Sequence, residues 1–219
     1  MKPQDLVPPF SWRDPSVTIE DQIFYTFGKN EFSFPGWESL FGNSRPVHLE
    51  YCSGNGEWLA EQALHAREAN WVGLEKRFMR VRKIWSKIKN HQLKNMFAIC
   101  GEAYSTSTRF FPDQSLDSVF VNFPDPWPKR NHAKYRLIQT EFVRELSRTV
   151  KSGGTVTLVT DDAPYSEQMI RVMLENENFS SALPAPYFAT DWQQYGGSFF
   201  ERLWREKERA IRYHQFIRR

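Results

Sequence analysis

Three carboxylates, Glu50, Glu75 and Glu102, each follow or end a short apolar run, and the first leads into a turn of small residues, Cys52-Ser53-Gly54-Asn55-Gly56. A glycine-rich turn lets a ligand approach the backbone, and an acid about 20 residues further on accepts both hydroxyls of a ribose. Glu75 stands 19 residues after Gly56. The pairing reads as a site for an adenosine-containing cofactor.

What is missing narrows the choice. The dinucleotide fingerprint wants a third glycine where Leu59 stands, and an uncharged turn on which a pyrophosphate can rest against a helix N-terminus. Here Glu50 and Glu57 flank the turn. Carboxylates repel pyrophosphate but suit a cation, and S-adenosylmethionine carries a sulfonium and an ammonium against a single carboxylate. Glu102, followed by Ala103, is placed to accept from an adenine amino group. Taken singly, each acid has a structural alternative, as a helix cap or the partner of a lysine.

A second cluster is the run Asn122-Phe123-Pro124-Asp125-Pro126-Trp127-Pro128-Lys129-Arg130-Asn131-His132. Three prolines stiffen it, since proline fixes its own φ and restricts its predecessor. Asp125 is suited to the amide and amino edge of a purine, Trp127 to a wall, and Lys129 and Arg130 to phosphate. The alternative is a rigid crossover loop with a buried tryptophan.

Strands alternating with helices are needed to bring these residues to one edge. Val47–Tyr51, Asn70–Glu75, Met96–Cys100, Leu116–Asn122 and Thr155–Thr160 read as strands. Helices are expected over Glu57–Glu68, from Phe78 through Ile88, over about Lys134–Lys151 and over about Pro164–Asn178. Such βαβ units give a mostly parallel sheet covered on both faces, with ligands outside the carboxyl ends of the strands. Residues 1–45, rich in proline and aromatics, read as an arm on a 46–219 body. Phe199–Trp204, after a turn at Tyr195-Gly196-Gly197, reads as a final strand.

The net charge of +3 conceals a segregation. Residues 1–60 carry 4 basic and 8 acidic side chains, whereas 61–100 carry 9 and 3. Lys76, Arg77, Arg80, Arg82, Lys83, Lys87, Lys89 and Lys94 form a run without an acid, suited to a polyanion or equally to a solvated helix face. Lys129, Arg130, His132, Lys134 and Arg136 are a second such group. The two cysteines, Cys52 and Cys100, make no disulfide framework, and neither His48 nor His132 has a partner at metal-ligand spacing. With no signal or membrane-length apolar run, a cytoplasmic protein with no metal is expected. The surplus of aromatics is expected in core and arm packing.

The segments Glu50–Glu57, Glu75, Glu102-Ala103 and above all Phe123–His132 with Tyr135-Arg136-Leu137 resemble the tRNA (guanine-N7-)-methyltransferases. Thr160-Asp161, Thr190-Asp191-Trp192-Gln193 and Phe199–Lys207 resemble later blocks of that family. The resemblance implies a Rossmann-like class I methyltransferase fold, with a mostly parallel seven-stranded sheet and a C-terminal antiparallel strand. It also implies S-adenosylmethionine as cofactor, S-adenosylhomocysteine as product, and a variable-loop guanine of tRNA as target. Glu50, Gly54, Gly56, Glu75, Glu102, Ala103 and Asp125 are then the cofactor residues, with Asp125 also catalytic. Lys129, Asp161, Thr190 and Gln193 are the substrate residues. Two positions depart from the family pattern: Cys52 replaces the first glycine of the turn, and Gln193 stands where a glutamate is expected to hold the guanine. A glutamine still pairs with guanine through its amide oxygen, more weakly than a carboxylate. Monomer and homodimer both remain open. The competing readings are a class I methyltransferase acting on an exocyclic amine and an inactive RNA-binding relative.

Overall fold

The computed structural model describes residues 1–195 and 197–219, without the side chains of Arg130, Gln194 and Phe199. The expected turn at Gly196 and the phosphate role of Arg130 therefore lie outside the described residues. The chain divides into two compact units, Met1–Pro112 and Asp113–Arg219.

The first unit contains β1 (Thr18–Glu20), β2 (Ile23–Tyr25), α1 (Trp37–Phe41), β3 (Val47–Tyr51), α2 (Glu57–His65), β4 (Asn70–Glu75), α3 (Phe78–Asn90), β5 (Met96–Cys100) and α4 (Ala103–Phe110). Its strands lie in the order β1-β2-β5-β4-β3, and every pairing from β2 to β3 is parallel. All six residues of β4 are buried, as a strand between two parallel neighbours requires. In α3 the stripe Val81, Ile84, Trp85 and Ile88 is buried at helical spacing, which fixes the helix against the sheet.

The stretch read as an arm supplies β1 and β2, an antiparallel pair that extends this sheet. Phe24 in β2 lies 5.4 Å from Phe32, 5.6 Å from Phe34 and 5.1 Å from Phe110, ring centre to ring centre. The aromatic surplus of residues 1–45 thus closes the edge of the core. Strands of three residues carry too few positions for a period of two to register.

The second unit contains β6 (Leu116–Asn122), α5 (Thr140–Thr149), β7 (Val150–Thr160), α6 (Ala163–Leu174), β8 (Phe179–Ser181), α7 (Phe199–Glu206) and β9 (Arg212–Arg218). Its strand order is β6-β7-β9-β8, parallel between β6 and β7 and antiparallel beyond. With β1, β2 and β8 the described residues hold nine strands, against the seven expected.

Two further expectations are corrected. The segment Phe199–Trp204 is helix, not strand: Ser198 and Glu201 form a reciprocal capping box, and Glu201 pairs with Arg205 one turn on. The antiparallel strand is β9 instead. The helix expected over Lys134–Lys151 is a 3-10 turn, Arg130–Tyr135, followed by the shorter α5. Gly153-Gly154 lies within β7 and accompanies a register shift against β6.

His214 ties the second unit together. It is fully buried, its Nδ1 donating to the Leu158 carbonyl at 2.9 Å and its Nε2 accepting from Ser166 Oγ at 2.8 Å. Burial, opposed by the Leu158 bond and reinforced by Arg212, pushes its pKa down to about 4 from 6.5. Below pH 6.5 the unfolded chain binds a proton that the folded chain refuses, so stability is lost as pH falls toward 4. Between pH 7 and pH 5 the wild type should lose about 2 kcal/mol more stability than His214→Gln. Urea unfolding of both proteins at the two pH values measures the difference.

Candidate functional site

In the first unit the acids gather at the carboxyl edge of the sheet. Glu50 and Glu75 are buried near the ends of β3 and β4, and Glu102 follows β5 by two residues. Glu75 organises the turn: one carboxylate oxygen accepts the Gly54 N–H at 3.0 Å and the other the Arg77 N–H at 2.8 Å. Arg80 lies 3.5 Å from the same group. Ser53 Oγ donates to the Glu50 carbonyl at 2.8 Å, and Ser53 N to the Leu74 carbonyl at 3.1 Å, so the turn is laced to both strands.

Glu102 caps α4, accepting from Ser105 N at 2.8 Å and Tyr104 N at 3.3 Å, with Ala103 the first residue of that helix. The capping alternative is therefore realised for Glu102. Gly54 and Gly56 have φ of +56° and +68°. A Cβ on Gly56 would meet Ile84 at 2.8 Å, whereas one on Gly54 would meet nothing nearer than 4.0 Å. Gly56 serves packing, and Gly54 leaves the backbone approachable.

In the second unit one lateral row sets the geometry. Asn122 pairs with Val159, Val159 with Tyr213, and Tyr213 with Ala189. Asp125 lies three residues beyond the first member of this row, Asp161 two beyond the second, and Thr190 one beyond the last. Gln193 opens a 3-10 turn, Gln193–Tyr195, whose Tyr195 ring sits 5.3 Å from that of Tyr213. The topology thus brings the starts of all these segments to one strand edge. Asp125, Lys129, Thr190 and Gln193 are exposed.

The proline loop is braced from within. Asp125 accepts the Trp127 N–H at 3.1 Å, and the Trp127 ring packs on His132 and Tyr135. Arg136 donates to the Pro126 carbonyl at 2.7 Å and to Gln168 at 2.8 Å, and its guanidinium lies over Tyr165. Arg136, expected at phosphate, is instead spent holding the loop.

The basic run on α3 is also partly spent. Arg80 faces Glu75, Arg82 donates to the Leu6 carbonyl, Lys87 to the Asn55 carbonyl, and Lys89 pairs with Asp21. Lys76, Arg77, Lys83 and Lys94 are exposed. Sequence reasoning missed Glu201, whose carboxylate joins Arg205, Ser198 N and the Tyr213 hydroxyl. Its signal was the Ser198/Glu201 spacing.

Residues 44–212 match a family model described as "Putative methyltransferase". Across all of its length the chain is 47% identical to the tRNA (guanine-N(7)-)-methyltransferase of Chlamydia muridarum (strain MoPn / Nigg), covering 99% of that protein. It is 45% identical to the enzyme of the same name from Chlamydia trachomatis serovar D, again covering 99%. The chain belongs to the tRNA (guanine-N7-)-methyltransferase family. Among solved structures, the 16S rRNA methyltransferase KamB superposes with a TM-score of 0.63 at 16% identity, over 87% of this chain and 96% of that one. The aminoglycoside resistance methyltransferase NpmB1 gives 0.60 at 20% identity, over 83% and 91%. Both share the class I methyltransferase fold.

Within the tRNA (guanine-N7-)-methyltransferase pattern the Cys52 departure has a visible cost. Its φ is +59°, a conformation natural for glycine and strained for other residues. Crowding by protein atoms, then Glu75, Glu50 and Glu102, pushes the thiol up to about 12 although the residue is exposed, which favours its protonated form. Cys52→Gly should stabilise the protein by about 1 kcal/mol, and the β-branched Cys52→Val should destabilise it by roughly 1–3 kcal/mol. Chemical denaturation of the two variants gives the comparison.

Proposed function

We propose that this chain transfers the methyl group of S-adenosylmethionine to N7 of a variable-loop guanine in tRNA, in the cytoplasm and without a metal, leaving S-adenosylhomocysteine. The observation that carries the reading is the lateral row of the second unit, which sends Asp125, Asp161 and Thr190 out from neighbouring strand positions. Full-length relatives with that activity in their name support it.

The residues of the first unit fit the cofactor. Each Glu75 oxygen receives one backbone N–H, which leaves lone pairs for ribose hydroxyls. Glu50 gives the turn the negative charge a cation needs, Gly54 and Gly56 admit the ligand to the backbone, and Glu102 with Ala103 meets the adenine. When bound, S-adenosylmethionine supplies a methyl group on a positively charged sulfur.

Guanine N7 carries a lone pair and no proton, so no general base is required. What the protein must do is position. Asp125, also a cofactor contact, with Asp161 and Gln193 nearby, orients the base by its N1 and N2 edge and offsets the positive charge that grows on the purine. Asp161 and Gln193 hold the same base, Thr190 lines its site, and Lys129 meets phosphate. Alignment of this kind contributes several kcal/mol, about 7–11 at most.

Asp125→Ala should abolish methyl transfer while S-adenosylmethionine binding falls only modestly. Label transfer to tRNA and calorimetric binding separate the two effects. Full turnover in the variant would contradict the role of Asp125.

A further inference from the structure

Asp161, the residue that ends the reach of β7, already has a partner. Its Oδ2 accepts from Arg209 Nη1 at 2.5 Å, and the Asp161 side chain is 11% exposed against 54% for Arg209. The Arg209 guanidinium also lies over the Trp204 ring, 4.3 Å from its centre. The backbone is shaped for this. After α7 the chain turns through Glu208 at φ +55°, and Arg209 N donates to the Trp204 carbonyl at 2.9 Å. A non-glycine residue held in that conformation marks a turn fixed by its surroundings.

A guanidinium is a flat group presenting N–H donors in a fixed fork that matches a carboxylate. The N1–H and N2–H edge of guanine is also flat and presents two parallel donors on adjacent nitrogens. The two groups are therefore competitors for one acceptor. We propose that Arg209 is a placeholder for guanine on Asp161. In the free protein it keeps the carboxylate compensated, and the incoming base displaces it.

The inference rests on the reading of Asp161 as a guanine contact. It adds a source of specificity. Adenine turns an unprotonated N1 toward the carboxylate on the corresponding edge, lone pair against lone pair, so an adenine would leave Asp161 on Arg209. Displacing Arg209 is offset by the base itself, because the guanine donors take its place on the largely buried Asp161 while the half-solvated guanidinium returns to water. Trp204 holds the freed guanidinium close by. Arg209 is thus a positioning residue whose removal strengthens substrate binding without changing chemistry.

The test is steady-state methylation of unmodified tRNA at saturating S-adenosylmethionine by the wild type, Arg209→Ala, Arg209→Lys and Asp161→Asn, with folding of each checked by thermal unfolding. In Arg209→Ala the KM for tRNA should fall about two- to five-fold, the scale of a partly exposed ion pair, with kcat unchanged. Millimolar methylguanidinium should then compete with tRNA in Arg209→Ala and not in the wild type. Arg209→Lys keeps the charge and stem but not the fork, so its KM should fall by less, and this variant carries the test if the alanine chain does not fold. A KM that is unchanged or raised in the folded Arg209 variants, with Asp161→Asn inactive, overturns the placeholder and leaves the guanine contact standing. Wild-type kcat/KM in Asp161→Asn overturns the reading of Asp161 itself, and the placeholder with it.

Discussion

The first unit depends on one buried carboxylate. Glu75 takes the N–H of Gly54 on one oxygen and that of Arg77 on the other. It therefore couples the turn after β3 to the entry of α3. Hydrogen bonds to a charged acceptor contribute about 1.5–3 kcal/mol each, and inside a protein a carboxylate left without them would be costly. The turn is rigid because this group needs it to be. That rigidity explains why Gly54 and Gly56 sit at positive φ and why Cys52 is forced there with them. A cysteine in a glycine's conformation shows how strongly the surrounding bonds determine the turn.

The second unit has its own organising group in Tyr213. Its backbone pairs with Val159 and with Ala189, and its hydroxyl donates to Glu201, the buried acid that also caps α7 and holds Arg205. Burial and the Glu201 bond hold the phenol well above its ordinary pKa, so it remains a donor at every physiological pH. One residue thus aligns the segment carrying Thr190, the segment carrying Asp161 and the helix that returns the chain to Arg209. His214, beside it in β9, adds the bond to Leu158 that closes the same region.

Much of this was legible in the sequence. The bounds of β3, β4, β5 and β6 follow from apolar runs interrupted by polar turns, and the proline loop announced its own stiffness. What escaped was what depends on distant partners. Ile23, Phe24 and Tyr25 form a strand only because β5 is there to pair with. Phe199–Trp204 looks apolar enough for a strand, but Ser198 and Glu201 start a helix and Tyr213 fixes it. Arg82, Lys87 and Lys89 look free for a polyanion in a charge count, yet each is bound to a group far along the chain. Glu102 had two physical readings from the start, and the structure realises its capping role without removing the other.

The central claim is that these elements serve methylation of guanine N7. Its most direct measurement is the transfer of labelled methyl groups from S-adenosylmethionine to unmodified tRNA, followed by chemical cleavage at N7-methylguanine. The account predicts label in tRNA and cleavage at one variable-loop guanine. Label on an exocyclic amine, or S-adenosylmethionine bound with no label transferred, would contradict it.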